Sequence, residues 1–218
     1  MKKILLFTLL AAICFAAQLK VAAAANLSFV LNEIKDEFIK THPNDEISIT
    51  FGSSGKLVAQ IKNGALYDVF LSADMSFSEA LIKDNFSADE TSAVYAKGKV
   101  AMFSARGFET CSDLKCLKNP KIKSIIIANP KLAPYGKASK QAFKNAGVYE
   151  DIKDKIIKAS SIGEALSQSL SAGDVGFVAL SALKSEKLKE WQNAYKPVDS
   201  SLYEPLGGSS SCAEVEKP

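Results

Sequence analysis

Short apolar runs alternate with stretches in which apolar residues recur every three or four positions. Residues 19–24 form an apolar run of the buried-strand type. From Asn26 the spacing becomes helical, through Leu27, Val30, Leu31, Ile34 and Phe38. Residues 46–51 (EISITF) alternate as a strand does. Residues 54–63 return to a helix, with Leu57, Val58 and Ile61 inside and Gly64 at the C-terminal cap position. A strand over 68–71 and a helix over 76–84 complete a βαβαβα order, which predicts a mostly parallel sheet covered by helices on both faces.

Residues 92–104 are long and β-like and pass through Gly98, and they read as a connection between two halves. The pattern then restarts: strand 124–128, helix 136–146, strand 156–159, helix 162–172, strand 175–179. The expected fold is therefore α/β with two lobes and a cleft between them. Lobe I spans 18–96 and lobe II spans 97–204, with an atypical tail over 205–218.

Residues 1–17 stand apart from both lobes. Lys2 and Lys3 precede an apolar run over 4–17 that ends in Ala16 and Ala17, the order of a cleavable secretory signal. That run is too short to span a bilayer. A lipoprotein reading wants a small residue before Cys14, and Ile13 stands there. The expected address is periplasmic.

The formal charge of +3 falls to about +1 without Lys2 and Lys3, so no basic footprint for nucleic acid is present. A single histidine, His42, excludes His-rich metal sites. In an oxidising compartment Cys111 and Cys116 either close a small disulfide loop or remain two free thiols, which leaves Cys212 as the odd one.

In an open α/β sheet, ligands bind beyond the carboxyl ends of strands, where helices begin. Helix starts offer unpaired N–H groups and partial positive charge. Here those junctions read Ala24-Ala25-Asn26, Gly52-Ser53-Ser54-Gly55, Ser72-Ala73-Asp74, Pro134-Tyr135-Gly136 and Ser160-Ser161-Ile162-Gly163. Each has a plain reading as a cap or turn, and Asp74, Ser160 and Ser161 fit that reading. Five donor-rich junctions along one edge point instead to a shared ligand. Amide, hydroxyl and carboxamide donors without a proton acceptor suit a fully ionised tetrahedral oxyanion. Molybdate, tungstate and sulfate are in that state at neutral pH, whereas phosphate keeps a proton that needs an acceptor. Charge-assisted hydrogen bonds contribute about 1.5–3 kcal/mol each, so six or seven support sub-micromolar binding without a counter-charge.

The segments VAAAAN ending at Asn26, FGSSGK ending at Lys56, DVFLSAD ending at Asp74, IANPKLAPYG ending at Gly136 and VGFVALS ending at Ser181 together resemble the periplasmic molybdate-binding proteins of ABC-type importers. The likeness runs in order from about Leu19 to Pro205. It implies a two-lobed type II periplasmic binding fold that closes on molybdate or tungstate and delivers it to a membrane permease. It implies a monomer, neither an enzyme nor a holder of any cofactor. Carried over by position, the ligand contacts fall on Ala25, Asn26, Ser53, Ser54, Ala73 and Tyr135, and on the backbone N–H of Ile162. One branch of the family takes a tyrosine hydroxyl from the strand end that here reads Phe177-Val178-Ala179. With Ala179 there, the hydroxyl is assigned to Tyr135, as in the other branch.

The resemblance fails after Pro205. Family members continue with a strand crossing back to lobe I and a final helix. Here Leu-Gly-Gly-Ser-Ser-Ser-Cys and the residues after it show no periodicity and no buried face, which predicts an altered or shortened C-terminus and a destabilised lobe I. Two other functions stand beside the leading one. The same fold can serve sulfate or another oxyanion. A secreted serine hydrolase would use Ser53 or Ser54 with His42, but His42 lies near the end of the first helix, away from the cleft edge.

Overall fold

The structure is a computed structural model and describes residues 18–87 and 92–212. The expected signal segment, residues 1–17, and residues 213–218 of the tail lie outside the described residues. Two five-stranded sheets organise the chain. The first has the order β2-β1-β3-β10-β4, built from β1 (Gln18–Ala24), β2 (Glu46–Gly52), β3 (Val69–Ser72), β4 (Ala93–Gly98) and β10 (Leu206–Cys212). The second has the order β7-β6-β8-β5-β9, from β5 (Val100–Phe103), β6 (Ile125–Ala128), β7 (Ile156–Ala159), β8 (Val175–Ala179) and β9 (Tyr195–Pro197).

Strands that alternate with helices pair in parallel: β1 with β2 and β3, and β6 with β7 and β8. Every antiparallel pairing involves β5 or β10, the strands that follow a crossing between the sheets. The stretch expected as one connection, residues 92–104, divides at Lys99: β4 ends in the first sheet and β5 begins in the second. The chain returns at Pro205–Leu206, where Leu206 pairs with Gly98. The two crossings therefore run side by side.

The helices are α1 (Ser28–Thr41), α2 (Ser54–Lys62), α3 (Met75–Lys83), α4 (Pro134–Asn145), α5 (Tyr149–Ile152), α6 (Ile162–Ser171) and α7 (Leu180–Leu183). On one face of the first sheet, Ala22 and Phe70 pack against Leu57 and Ile61 of α2 and Leu81 of α3. Full burial of each large side chain is worth about 1.5–3 kcal/mol. In the second half, Ile125, Ile127, Phe143 and Phe177 share a core, the two phenylalanine rings meeting edge to face at 4.6 Å. Helix α1 has the expected periodicity but buries no residue; Val30, Ile34 and Phe38 stay 45%, 56% and 40% exposed. A disulfide joins Cys111 and Cys116, whose Cα atoms stand 6.1 Å apart.

The tail corrects the sequence expectation. Residues 206–212 form β10, a strand inside the first sheet, and Leu206, Ser209 and Ser211 are buried. Gly-Gly-Ser-Ser-Ser lacks the apolar alternation by which a strand is recognised. Backbone pairing on both edges and a polar contact hold it instead: the Ser209 hydroxyl donates to the Asp74 carbonyl at 3.0 Å and meets the Ser78 hydroxyl at 2.8 Å. Gly208 lies under the Tyr95 ring, where a Cβ would stand only 2.7 Å from the ring carbon. Small residues are what this position admits.

Candidate functional site

The strands of both sheets end facing a common seam, and five helix starts converge there. Ala25, Asn26, Ser53, Ser54, Ala73, Tyr135 and Ile162 all line one small cavity, with Ala24, Gly52, Ala133 and Pro134 completing it. Of the predicted site residues only Asn26 is partly exposed; the others are buried. Among the described residues no Asp, Glu, Lys, Arg or His side chain lines the cavity. Its free volume is about 10 Å³, close to what one ordered water occupies. The two halves thus stand closer here than a four-oxygen ion requires.

Two side-chain oxygens in this lining are unusual. Ser53 occupies the N-cap position of α2 yet makes no capping bond, and its Oγ is buried without a hydrogen-bond partner. Asn26 Oδ1 is buried and unpartnered as well. Of the three such side-chain atoms among the described residues, two therefore belong to this cavity; the third is Ser211 Oγ. An unpaired buried polar group costs about 1–3 kcal/mol, so a structure keeps one where something else satisfies it. Rotation of the Asn26 carboxamide by half a turn exchanges Oδ1 for Nδ2, a donor.

Ser54 is arranged differently. Its Oγ accepts the Ala73 N–H at 3.1 Å, which leaves the hydroxyl proton free to be donated. The same bond consumes the Ala73 amide, so in this structure that amide orients Ser54, whereas the sequence expectation made it a ligand contact. Ser54, Tyr135 and Ile162 stand in the first turns of α2, α4 and α6, where a helix leaves its backbone N–H groups unpaired. Pro134 at the first position of α4 has no N–H, which makes Tyr135 the first amide donor of that helix.

The Tyr135 side chain reaches from the cavity to the first crossing. A Cβ on Gly98 would lie 2.3 Å from Tyr135 Oη, so the hydroxyl sits against the first crossing. Burial, then the neighbouring Tyr95 and Tyr203, push its pKa well above the usual tyrosine value, and it keeps its proton. Around it, the Tyr95 hydroxyl donates to the Ser72 carbonyl at 2.7 Å, and the Tyr203 oxygen accepts the Val100 N–H at 3.1 Å. Tyr135 thus presents two groups: a helix-start amide and a hydroxyl beside the hinge. A sequence identifies the residue but not the direction of its ring.

The plain cap reading holds for Ser161, whereas Ser160 stands one residue before the cap and donates to Glu164. Ser161 Oγ accepts the Glu164 N–H at 3.2 Å, and the Glu164 carboxylate accepts from the Ser160 amide and hydroxyl, which ties the chain entering α6 to its first turn. Hydrogen bonds from the Ser160 hydroxyl, then its amide, lower the Glu164 pKa. Asp74 is the N-cap residue of α3, but its carboxylate takes the Ser76 hydroxyl and no helix amide. His42 follows α1, where its ring stacks on Phe38 at 4.1 Å and bonds Thr41 and the Phe38 carbonyl. Those contacts belong to the helix end and include no site serine. Among the described residues no group of three His, Cys, Asp or Glu side chains is placed to hold a metal ion.

One contact across the seam had no sequence signal. The Gly55 N–H in α2 donates to the Leu132 carbonyl in the loop before α4 at 2.9 Å. A Cβ on Gly55 would lie 3.0 Å from that same oxygen.

Comparison with known proteins agrees with this architecture. The pattern of the bacterial extracellular solute-binding protein family matches residues 19–206. The molybdate-binding protein ModA of Azotobacter vinelandii is 37% identical over 201 residues, covering 91% of this chain and 78% of the relative. ModA of Rhodobacter capsulatus is 31% identical over 188 residues, covering 84% and 74%. The solved Azotobacter vinelandii periplasmic molybdate-binding protein superposes with a TM-score of 0.83 at 34% identity, over 89% of this chain and 85% of that one. The chain belongs to the bacterial extracellular solute-binding protein family.

Proposed function

We propose that this protein captures molybdate, and tungstate with it, outside the cytoplasm and hands it to the membrane permease of an ABC importer. The carrying observation is the cavity between the halves. It is lined from both sides by helix starts, contains no charged side chain and holds two buried side-chain oxygens without partners. A dianion with four acceptor oxygens satisfies such a lining; a ligand that must give up a proton does not. The relatives named molybdate-binding proteins support the choice among oxyanions.

Capture proceeds by closure. The Ser54 hydroxyl, held by the Ala73 amide, and the Ser53 hydroxyl approach from the first half together with Ala25 and Asn26. The first-turn amides of Tyr135 and Ile162 approach from the second. Dehydrating the ion is offset by these charge-assisted bonds, each worth about 1.5–3 kcal/mol. The Gly55–Leu132 backbone bond then joins the closed halves directly. Calorimetric titration of the protein lacking residues 1–17 with molybdate, tungstate, sulfate and phosphate tests the proposal. Sub-micromolar binding of the first two with no heat from phosphate is expected. Preferential binding of sulfate transfers the site to another oxyanion, and binding of none refutes the reading.

A further inference from the structure

The inner cavity carries no formal charge, so it exerts no long-range pull on an approaching dianion. A second, larger cavity lies directly beside it. Its volume is about 380 Å³, and it shares Asn26, Ala73 and Tyr135 with the inner one. It is open to solvent along Val30 and Tyr95, which are 45% and 39% exposed. Three lysines line it, Lys97 and Lys99 on either side of Gly98 at the first crossing and Lys184 just after α7, and among the described residues no carboxylate does. None of the three forms an ion pair among the described residues, so their charges face the cavity uncompensated. Lys184 also borders a neighbouring groove that contains Glu33 and Glu186.

We propose that this lysine-lined cavity is an antechamber that draws the oxyanion in and passes it to the uncharged inner site between Asn26 and Tyr135. The inference rests on the oxyanion reading of that inner site. The division of labour has a physical basis. A lysine inside the binding site would hold any anion, phosphate included, and would blunt selection by neutral donors. Lysines at the approach raise the local concentration of anions within about a Debye length, 8–10 Å at physiological salt, and speed association. Once the ion lies among hydroxyls and amides, the lysines contribute little to its retention. They govern the association rate, while the neutral donors govern dissociation and selectivity.

The test compares two triple variants that remove equal charge. Lys97→Gln/Lys99→Gln/Lys184→Gln alters the antechamber. Lys140→Gln/Lys144→Gln/Lys158→Gln alters clefts elsewhere on the second half. Association and dissociation of radiolabelled molybdate are followed by rapid filtration at low and physiological ionic strength, with melting curves to confirm that both variants fold. The antechamber triple is expected to slow association about tenfold at low salt and about twofold at physiological salt, leaving dissociation within about twofold. The control triple should stay within about twofold of the parent in both rates. Equal slowing by both triples, or none by the first, overturns the antechamber while leaving the inner site intact. Failure of the parent protein to bind molybdate at equilibrium overturns the functional reading, and the antechamber falls with it.

Discussion

Replacing Ser53 by alanine separates a ligand-binding hydroxyl from a helix cap, because the two roles give opposite signs in the unliganded protein. Loss of a working serine cap costs about 0.5–2 kcal/mol. Ser53 makes no cap bond, and its Oγ is buried to 4% residue exposure with no partner, so that cost does not arise. What Ser53→Ala removes is a desolvated hydroxyl, itself a burden of about 1–3 kcal/mol. Some of that is returned as lost packing, and a net gain near 1 kcal/mol is expected. For a chain of this length the gain corresponds to a melting temperature about 2–4 °C higher.

With ligand bound the sign reverses. One charge-assisted bond of about 1.5–3 kcal/mol disappears, so Kd rises about 10- to 150-fold. A melting scan without ligand and a calorimetric titration with molybdate measure the two effects on one preparation. A melting temperature lowered by several degrees would show that the hydroxyl stabilises the free protein after all. A Kd changed less than about threefold would show that it does not reach the ion. Either result refutes the reasoning.

Three further outcomes follow from the same geometry. Gly98→Ala places a methyl group 2.3 Å from Tyr135 Oη and must displace that ring; titration should show molybdate Kd raised tenfold or more, partly recovered when Tyr135→Phe is added to remove the clashing oxygen. Gly55→Ala crowds the Leu132 carbonyl at 3.0 Å and lengthens the bond across the seam, so Kd should rise about three- to tenfold, and solution scattering should show a less complete compaction on adding molybdate. Asp174 predicts an acid-labile component of stability. Burial opposes its ionisation, but the Lys123 and Ser124 amides at 2.7 and 3.0 Å, with Arg106 beside them, hold its pKa below the usual carboxylate range. A depressed folded pKa means stability that is full above the unfolded value, near 3.9, and is lost as pH falls toward the folded one. Melting temperatures should therefore fall more steeply below about pH 4 in the parent than in Asp174→Asn, and parallel curves would disprove the assignment.

Elements that bury an apolar face against a partner were legible in the sequence, because periodicity records that burial. Residues 156–159 and 175–179 were read as strands and are β7 and β8, and Ile162 was read as the first residue of a helix and opens α6. The lining of the cavity was legible for a different reason. Small residues and hydroxyls at successive strand-to-helix junctions have to lie on one edge of a parallel sheet, so topology brings Asn26 and Ser54 together on the first sheet and sets Ile162 on the equivalent edge of the second, and the facing of the two sheets does the rest. Two things were out of reach. The ring of Tyr135 turns toward the hinge because Gly98, far from it in sequence, leaves a space where any Cβ would clash. Strand β10 carries no hydrophobic signal because its neighbours demand small residues there: Tyr95 lies over Gly208, and the Ser78 hydroxyl and Asp74 carbonyl bond Ser209.

The segment that looked least structured is thus the one that ties the third helix start to the returning chain. Through Ser209 it fixes Asp74, the residue after Ala73, and Ala73 in turn orients the Ser54 hydroxyl. Ser209→Ala tests whether that linkage reaches the ligand. The substitution removes one buried atom and keeps the backbone ladder, but it strands the Ser78 hydroxyl and the Asp74 carbonyl, a loss of about 1–3 kcal/mol of stability. If strand β10 only completes the sheet, molybdate affinity measured well below the lowered melting temperature will match the parent. If it positions the site, Kd will rise at the same temperature while Ser54→Ala, already without the oriented hydroxyl, will show no further rise when Ser209→Ala is added. Additive losses in that double mutant would sever the chain of contacts from Ser209 to the cavity.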